Sequence, residues 1–279
     1  MIKVALTSPD GLVGSRIIEL LNKDFQFIPL IQKTMDITNL DNVKEVLTKT
    51  DFDVFLHLAA YTNVSGAEAE KDLCFKINVE GTKNVFNQVI NKGKKFIYIS
   101  TDFVFDGKHP PYFEDSTPNP PGVYALSKYQ GEKIVQGKAM IVRISYPYRA
   151  SFLGKNDFLR TFKILLEQKK SLKMITNSLM TPTFIDDIAY GLRYLINNFS
   201  PEIYHLVGGE AISPYQAAIL IAEKFNLDKT LVEKTTYEEY IKLKPVLPQY
   251  ADIKTKKNNF WKMKTFSEGL DEIIRQLKN

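Results

Sequence analysis

Ile2-Lys3-Val4-Ala5-Leu6, followed by Thr7-Ser8-Pro9-Asp10-Gly11-Leu12-Val13-Gly14, opens the chain, and the reading of this stretch decides the fold. The short apolar run reads as a strand. Beyond the turn, Leu12, Val13, Ile17, Leu20 and Leu21 recur at helical spacing through Leu12–Asn22. A strand, a glycine turn and a helix start together supply close backbone approach, free N–H groups and the positive end of a helix, the physical recipe for holding a pyrophosphate. Gly11 lets a phosphate approach, and Gly14 lets the helix pack closely on the strand. Ser8, Asp10, Gly11, Leu12 and Val13 are the expected contacts. Ser8 adds a side chain where the turn is tightest. A strand–helix turn with no ligand is the bland alternative, and only the surrounding pattern argues against it.

That pattern repeats. Phe27–Ile31, Val54–Ala59, Phe96–Ser100 and Ala139–Ile144 read as strands, alternating with helices over Val43–Leu47, Glu68–Lys92 and Tyr124–Val135. Such alternation predicts an α/β fold, a Rossmann-type doubly wound parallel sheet with right-handed crossovers and ligands outside its C-terminal strand ends. The second half loses the repeat. Phe158–Glu167, Ile185–Asn197, Pro214–Phe225 and Ser267–Leu277 read as helices, Ile203–Val207 as a strand, and Tyr237–Thr265 as irregular. The expected division is a dinucleotide-binding domain over 1–145 and a smaller C-terminal substrate lobe over 146–279, some segments of which return to the sheet.

The bulk properties set limits. The 279 residues are 44% hydrophobic and 25% charged, an ordinary globular composition. The formal charge of +5 suits an anionic small molecule and is too diffuse for nucleic acid. Lysines at 92–95, 169–170 and 254–257 lack interleaved aromatics and read as solvated surface. One cysteine, Cys74, excludes an internal disulfide and a multi-cysteine zinc site, and reads as a near-core thiol. No apolar run is long enough for a membrane span and the start does not read as a signal peptide, so a cytoplasmic location is expected.

The chemistry is carried further along. Phe96–Ile99 runs into Ser100-Thr101-Asp102-Phe103-Val104-Phe105-Asp106-Gly107, and Pro120-Pro121-Gly122-Val123 precedes Tyr124-Ala125-Leu126-Ser127-Lys128. Tyr124 and Lys128 share a helix face. A neighbouring ammonium is expected to favour the phenolate, making Tyr124 a proton donor near working pH, with Thr101 holding the same oxygen. Tyr-x-x-x-Lys alone arises often by chance; the strand-end Ser-Thr-Asp makes it a site. At the end of the second strand, Leu30-Ile31-Gln32-Lys33 lacks the carboxylate that grips an adenosine ribose. Gln32 and Lys33 therefore favour NADPH over NADH, with Lys33 pairing a 2′-phosphate. Asp36 and Ile37 follow where the adenine would lie.

Ser100–Gly107 resembles the S-T-D-Y-V-F-D-G signature of dTDP-4-dehydrorhamnose reductases, within the extended short-chain dehydrogenase/reductase group. His57-Leu58-Ala59-Ala60-Tyr61-Thr62-Asn63-Val64 with Ala67-Glu68 is similar to that family's A-A-Y-T-x-V-D-x-A-E segment. Asn78 in Ile77-Asn78-Val79, Val142-Arg143-Ile144-Ser145, and Thr181-Pro182-Thr183 with Asp187-Ile188-Ala189 match further blocks. The likeness covers roughly residues 1 to 210. It implies hydride delivery from NAD(P)H to the C4 carbonyl of a nucleotide-linked 4-keto-6-deoxy sugar, most directly dTDP-4-dehydrorhamnose, with no metal required. Tyr124, Lys128 and Thr101 are then the catalytic group. Leu58, Ala59, Ala60, Tyr61, Asn78 and Ser100 join the cofactor contacts. Thr62, Val64, Asp102, Phe103, Arg143, Tyr146, Asn156, Phe158 and Pro182 are the implied substrate contacts. Arg143, Arg149, Lys155 and Arg160 are candidate partners for a diphosphate. A homodimer is left open.

The departures concentrate at the substrate. Ser8 and Ala125 stand where the family has glycine, Tyr146 and Pro147 where it has tryptophan and valine, and Asn177-Ser178 where it has D-Q. Leu247-Pro248-Gln249-Tyr250-Ala251 resembles R-P-x-N-S without its arginine. Two other readings stay open: an epimerase or other extended reductase with the same catalytic pair, and a non-catalytic subunit like the one that accompanies methionine adenosyltransferase.

Overall fold

In a computed structural model, which describes residues 1–242 and 247–278, the opening stretch is strand β1 (Lys3–Thr7). Its side chains alternate: Val4 and Leu6 enter one apolar layer and Ala5 the other. Strands β2 (Gln26–Leu30), β3 (Val54–His57), β4 (Lys95–Thr101) and β5 (Met140–Ile144) do the same, so both faces of the sheet need covering. They pair in parallel in the order β2-β1-β3-β4-β5, which makes the β1/β3 junction the point where the winding reverses.

Helices α1 (Leu12–Leu21), α2 (Leu40–Lys49), α3 (Lys71–Phe75), α4 (Thr82–Asn91) and α5 (Gly122–Val135) connect these strands. α2, α4 and α5 pack Val43, Leu47, Val85, Phe86, Val89 and Val135 on the Ala5 face. The expected single helix over Glu68–Lys92 is broken. A π-helical segment, Lys76–Gly81, lies between α3 and α4 and carries the buried Asn78. Apolar periodicity cannot register one wide turn inside a helix, and such turns gather at functional sites.

Beyond β5 come β6 (Pro147–Tyr148), α6 (Phe158–Glu167), β7 (Leu172–Ile175), β8 (Thr183–Phe184) and α7 (Ile185–Asn197). They are followed by β9 (Ile203–His205), α8 (Pro214–Lys224), β10 (Val232–Thr235), α9 (Tyr237–Ile241) and α10 (Phe266–Lys278). α7 joins α1 on the Val4 face, and β9 extends the sheet beside β5. α6, α8 and α10 surround a separate core that includes Tyr148, Phe184 and Phe266. The pairs β6–β8 and β7–β10 escaped the sequence reading because each strand is too short to show an alternating pattern. Ser213 caps α8 in a full capping box with Pro214 at its first position. Among the described residues, no helix is long and apolar enough to cross a membrane.

Candidate active site

The dinucleotide turn is built by one hydroxyl. Thr7 Oγ1, at the end of β1, accepts from the backbone N–H groups of Leu58 and Ala59 at 3.0 and 2.9 Å and faces His57 Nδ1 at 3.2 Å. It thereby ties the C-terminal ends of β1 and β3 at the winding reversal. α1 begins at Gly11 with no side-chain cap, leaving its first N–H groups free for an anion. A Cβ on Gly14 would lie 2.2 Å from the Ser8 carbonyl oxygen, so only glycine permits this approach of helix to strand. Ser8 itself has φ +50, the left-handed conformation that glycine adopts without strain.

A cleft of about 760 Å³ starts at this turn and runs past the ends of β3, β4 and β5, a size suited to a small-molecule ligand. A smaller cavity of about 120 Å³ adjoins it, sharing Ser8 and Ala60. Gln32, Asp36, Ile37 and Ala59 line this smaller space, with Thr7, Leu30, Met35, Thr38 and Ile77, whose placement no motif announced. Asp36 bends the chain here: its Oδ1 accepts from the N–H and hydroxyl of Thr38 at 2.9 and 2.8 Å. The Ser100 hydroxyl, at the floor of the cleft, is buried and has no partner among the described residues. An uncapped helix start, a glycine cradle and an orphaned hydroxyl along one groove fit a dinucleotide.

Tyr124, Thr101 and Lys128 meet in the cleft. Thr101, at the end of β4, donates to Asp102 Oδ1 at 3.0 Å and accepts from Phe103 N–H at 3.3 Å. Lys128 is buried under α5; its ammonium donates to the Ile99 carbonyl at 2.8 Å and sits 4.1 Å from the centre of the Tyr98 ring. Burial lowers the Lys128 pKa to about 7, with Glu132 pulling the other way. The Tyr124 phenol moves opposite to the sequence expectation. Burial and then the charge of Asp102 raise its pKa, while Thr101 partly offsets them. The phenol is therefore held protonated. Burial likewise lifts Asp102 to about 6, against hydrogen bonds from Ser145 at 2.8 Å and from Thr101.

The cleft also gathers Asp10, Gly11, Leu12, Val13, Leu58, Ala60, Thr62, Val64, Asp102 and Phe103. Tyr146, Asn156 and Phe158 complete its wall. Phe103 meets Tyr124 edge-on at 5.8 Å, and Tyr146 lies 6.1 Å from Phe103 and 6.2 Å from Phe158. Tyr146 is turned into this wall by an unusual φ of +40. Phe152, Lys155 and Asp157 come from a loop in which periodicity gave no signal.

Five expected contacts lie elsewhere. Arg143 is 1% exposed and forms a bidentate pair with Glu132, at 2.9 and 2.7 Å, beneath α5; a buried arginine needs such a partner, and it is closed to substrate. Asn78 is buried outside the groove, where its Oδ1 accepts from Tyr61 N–H at 2.7 Å and its amide donates to Ser127 at 2.8 Å. It braces the Ala60-Tyr61 turn against α5. The Tyr61 hydroxyl donates to Glu70, and the side chain lines neither cavity. Pro182 packs its carbonyl against Gly208, where a Cβ would approach to 2.0 Å. Lys33 is exposed and lines neither cavity, leaving Gln32 at the rim. Arg149 and Arg160 hold Glu19 and Asp157, which leaves Lys155 from the four diphosphate candidates.

Likeness to known proteins extends along the whole chain. The family model described as the RmlD substrate binding domain matches residues 2–279. A dTDP-4-dehydrorhamnose reductase from Bacillus anthracis strain Ames, solved in complex with NADP, is 30% identical and superposes with a TM-score of 0.91 over 99% of each chain. The spore coat polysaccharide biosynthesis protein SpsK of Bacillus subtilis is 30% identical over 245 residues, 86% of this chain and 85% of its own. Methionine adenosyltransferase 2 subunit beta of Xenopus tropicalis is 28% identical over 242 residues, 83% of this chain and 72% of its own. A Rossmann-type sheet with a dinucleotide groove leading to Tyr124, Lys128 and Thr101, matched from end to end, places this chain in the RmlD family of NAD(P)-dependent reductases.

Proposed function

We propose that the protein reduces the C4 keto group of a nucleotide-linked 4-keto-6-deoxy sugar, with dTDP-4-dehydrorhamnose to dTDP-rhamnose as the first candidate. The observation that carries this reading is a phenol held protonated at the end of a dinucleotide groove, with a threonine hydroxyl and a buried lysine beside it. Bound in that groove, NAD(P)H supplies the hydride. The free N–H groups of α1, with Ser8, Gly11 and Ala60, would hold its phosphates, and Gln32 and Asp36 would border its adenosine. Tyr124 gives its proton to the carbonyl oxygen, so the product is the alcohol and the residue is left as phenolate. Thr101 holds the same oxygen. The Lys128 ammonium stabilises that phenolate, favouring a protonated lysine at the moment of transfer. Phe103, Tyr146 and Phe158 shelter the sugar from water. Residues 1–145 serve mainly the cofactor and 146–279 mainly the substrate, and the proposed setting is the cytoplasm.

The test is loss of absorbance by NADPH or NADH on adding a panel of 4-keto sugar nucleotides. Replacing Tyr124 with Phe should lower kcat by about 10²–10⁴-fold while cofactor affinity stays within about threefold. Cofactor binding without turnover against the whole panel would instead favour the non-catalytic reading. Tightly retained NAD⁺ in the purified protein would favour an epimerase.

A further inference from the structure

Two arginines, neither of them a lining residue, hold the loop that walls the cleft; of their guanidinium nitrogens, the Arg149 Nε is left without a partner among the described residues. Arg149 donates to both carboxylate oxygens of Glu19, at 2.9 and 2.7 Å, and to Ser15 Oγ at 3.0 Å. Arg160 donates to Asp157 at 3.0 Å and to the carbonyls of Phe152 and Lys155 at 2.7 and 3.0 Å. The two guanidinium groups lie 5.6 and 5.5 Å from the Phe152 ring. Because Glu19 and Ser15 belong to α1, these contacts fix residues 150–157 as a strap beside the first turns of that helix. Phe152, Gly154, Lys155 and Asn156 then line the same cleft as Gly11, Leu12 and Val13.

Lys155 is the product of that construction. Its carbonyl is anchored by Arg160, while its side chain is exposed and makes no ion pair among the described residues. The other lysine of the cleft, Lys128, is held at the floor by Ile99 and Tyr98. The late segment that resembles R-P-x-N-S offers no cation at its first position: Leu247 stands there, its carbonyl accepting from the Tyr237 hydroxyl at 2.5 Å. A long flexible ammonium on an anchored backbone, in the same cleft as an uncapped helix start, is suited to a mobile polyanion.

We propose that Lys155 clamps the diphosphate of a nucleotide ligand bound in the cleft. The proposal rests on the reductase reading, in which two ligands carry that group, the dinucleotide and the sugar nucleotide. The experiment separates them by measuring affinities of wild type, Lys155→Met and Lys155→Arg for NADPH alone, and for dTDP and dTMP in the presence of NADP⁺. Lys155→Met should weaken either NADPH or dTDP by about tenfold at low salt, and the loss should shrink as salt rises, as screening of a charge contact requires. Lys155→Arg should stay within about threefold of wild type. A loss confined to NADPH assigns the clamp to the cofactor; a loss for dTDP with dTMP unchanged assigns it to the substrate. Unchanged affinity for both diphosphates in Lys155→Met overturns the proposal. If the wild type binds these ligands but reduces no 4-keto sugar, the reductase reading falls while the titrations still decide the clamp.

Discussion

Lys128 and Arg143 are two buried cations beneath the same helix, and the fold treats them in opposite ways. Arg143 faces Glu132, one helical turn beyond Lys128, in a two-pronged ion pair closed by Phe105 at 5.0 Å and by His205. Among the described residues, Lys128 receives a carbonyl and the face of a ring and no ion pair. A charge with a full partner is fixed and structural. A charge with a partial partner is held near the balance between its two protonation states, where it can respond to what enters the cleft. The same helix thus carries a fastener and a chemical group one turn apart.

Four measurements test how differently the two cations are held. Glu132→Ala should cost about 3–5 kcal/mol of stability, because it strands a buried guanidinium; denaturant unfolding showing a loss under about 1 kcal/mol would remove the distinction. Lys128→Met should do the reverse. It should lower kcat by about 10²-fold or more while leaving the ligand-free protein at least as stable as wild type. The pH dependence should separate them further. With its folded pKa at about 7 against an ordinary 10.5, Lys128 binds its proton less readily folded than unfolded, so folding stability rises from about pH 7 to about pH 10.5. Lys128→Met should flatten that rise, seen as a difference in melting temperature between the two proteins that narrows with pH. The smallest effect belongs to the turn outside the pair. Ser8→Gly should relieve the left-handed backbone and stabilise the protein by about 0.5–1 kcal/mol, since glycine's greater unfolded freedom offsets part of the gain. A destabilised Ser8→Gly protein would show that the serine side chain has its own partner there.

The strands of the first half, the turn at Ser8–Gly14 and the Tyr124–Lys128 spacing were legible because each is a local pattern. Strand and helix periods are written in neighbouring residues, and residues four apart on a helix share a face wherever that helix lies. Asn78 illustrates the limit. Its place in the chain resembled a cofactor contact, but the π-helical turn that carries it directs its amide to Tyr61 and Ser127, and no periodicity encodes one wide turn. Arg143 shows the same limit for charge: its partner, Glu132, lies on another element, and nothing near Arg143 in sequence announces the pairing.

Local order therefore settled the parallel sheet, the glycine turn and the helix face shared by Tyr124 and Lys128, since steric and hydrogen-bond rules act over a few residues. Tertiary packing decided the rest. It made Tyr124 a protonated phenol by burying it near Asp102, and it lowered the Lys128 pKa by burying it with a carbonyl and a ring as partners. It also sorted the four diphosphate candidates into three arginines held in ion pairs and one lysine, Lys155, with no ion pair among the described residues. A side chain's charge and reach are properties of its environment, and that environment is assembled from residues far apart in the chain.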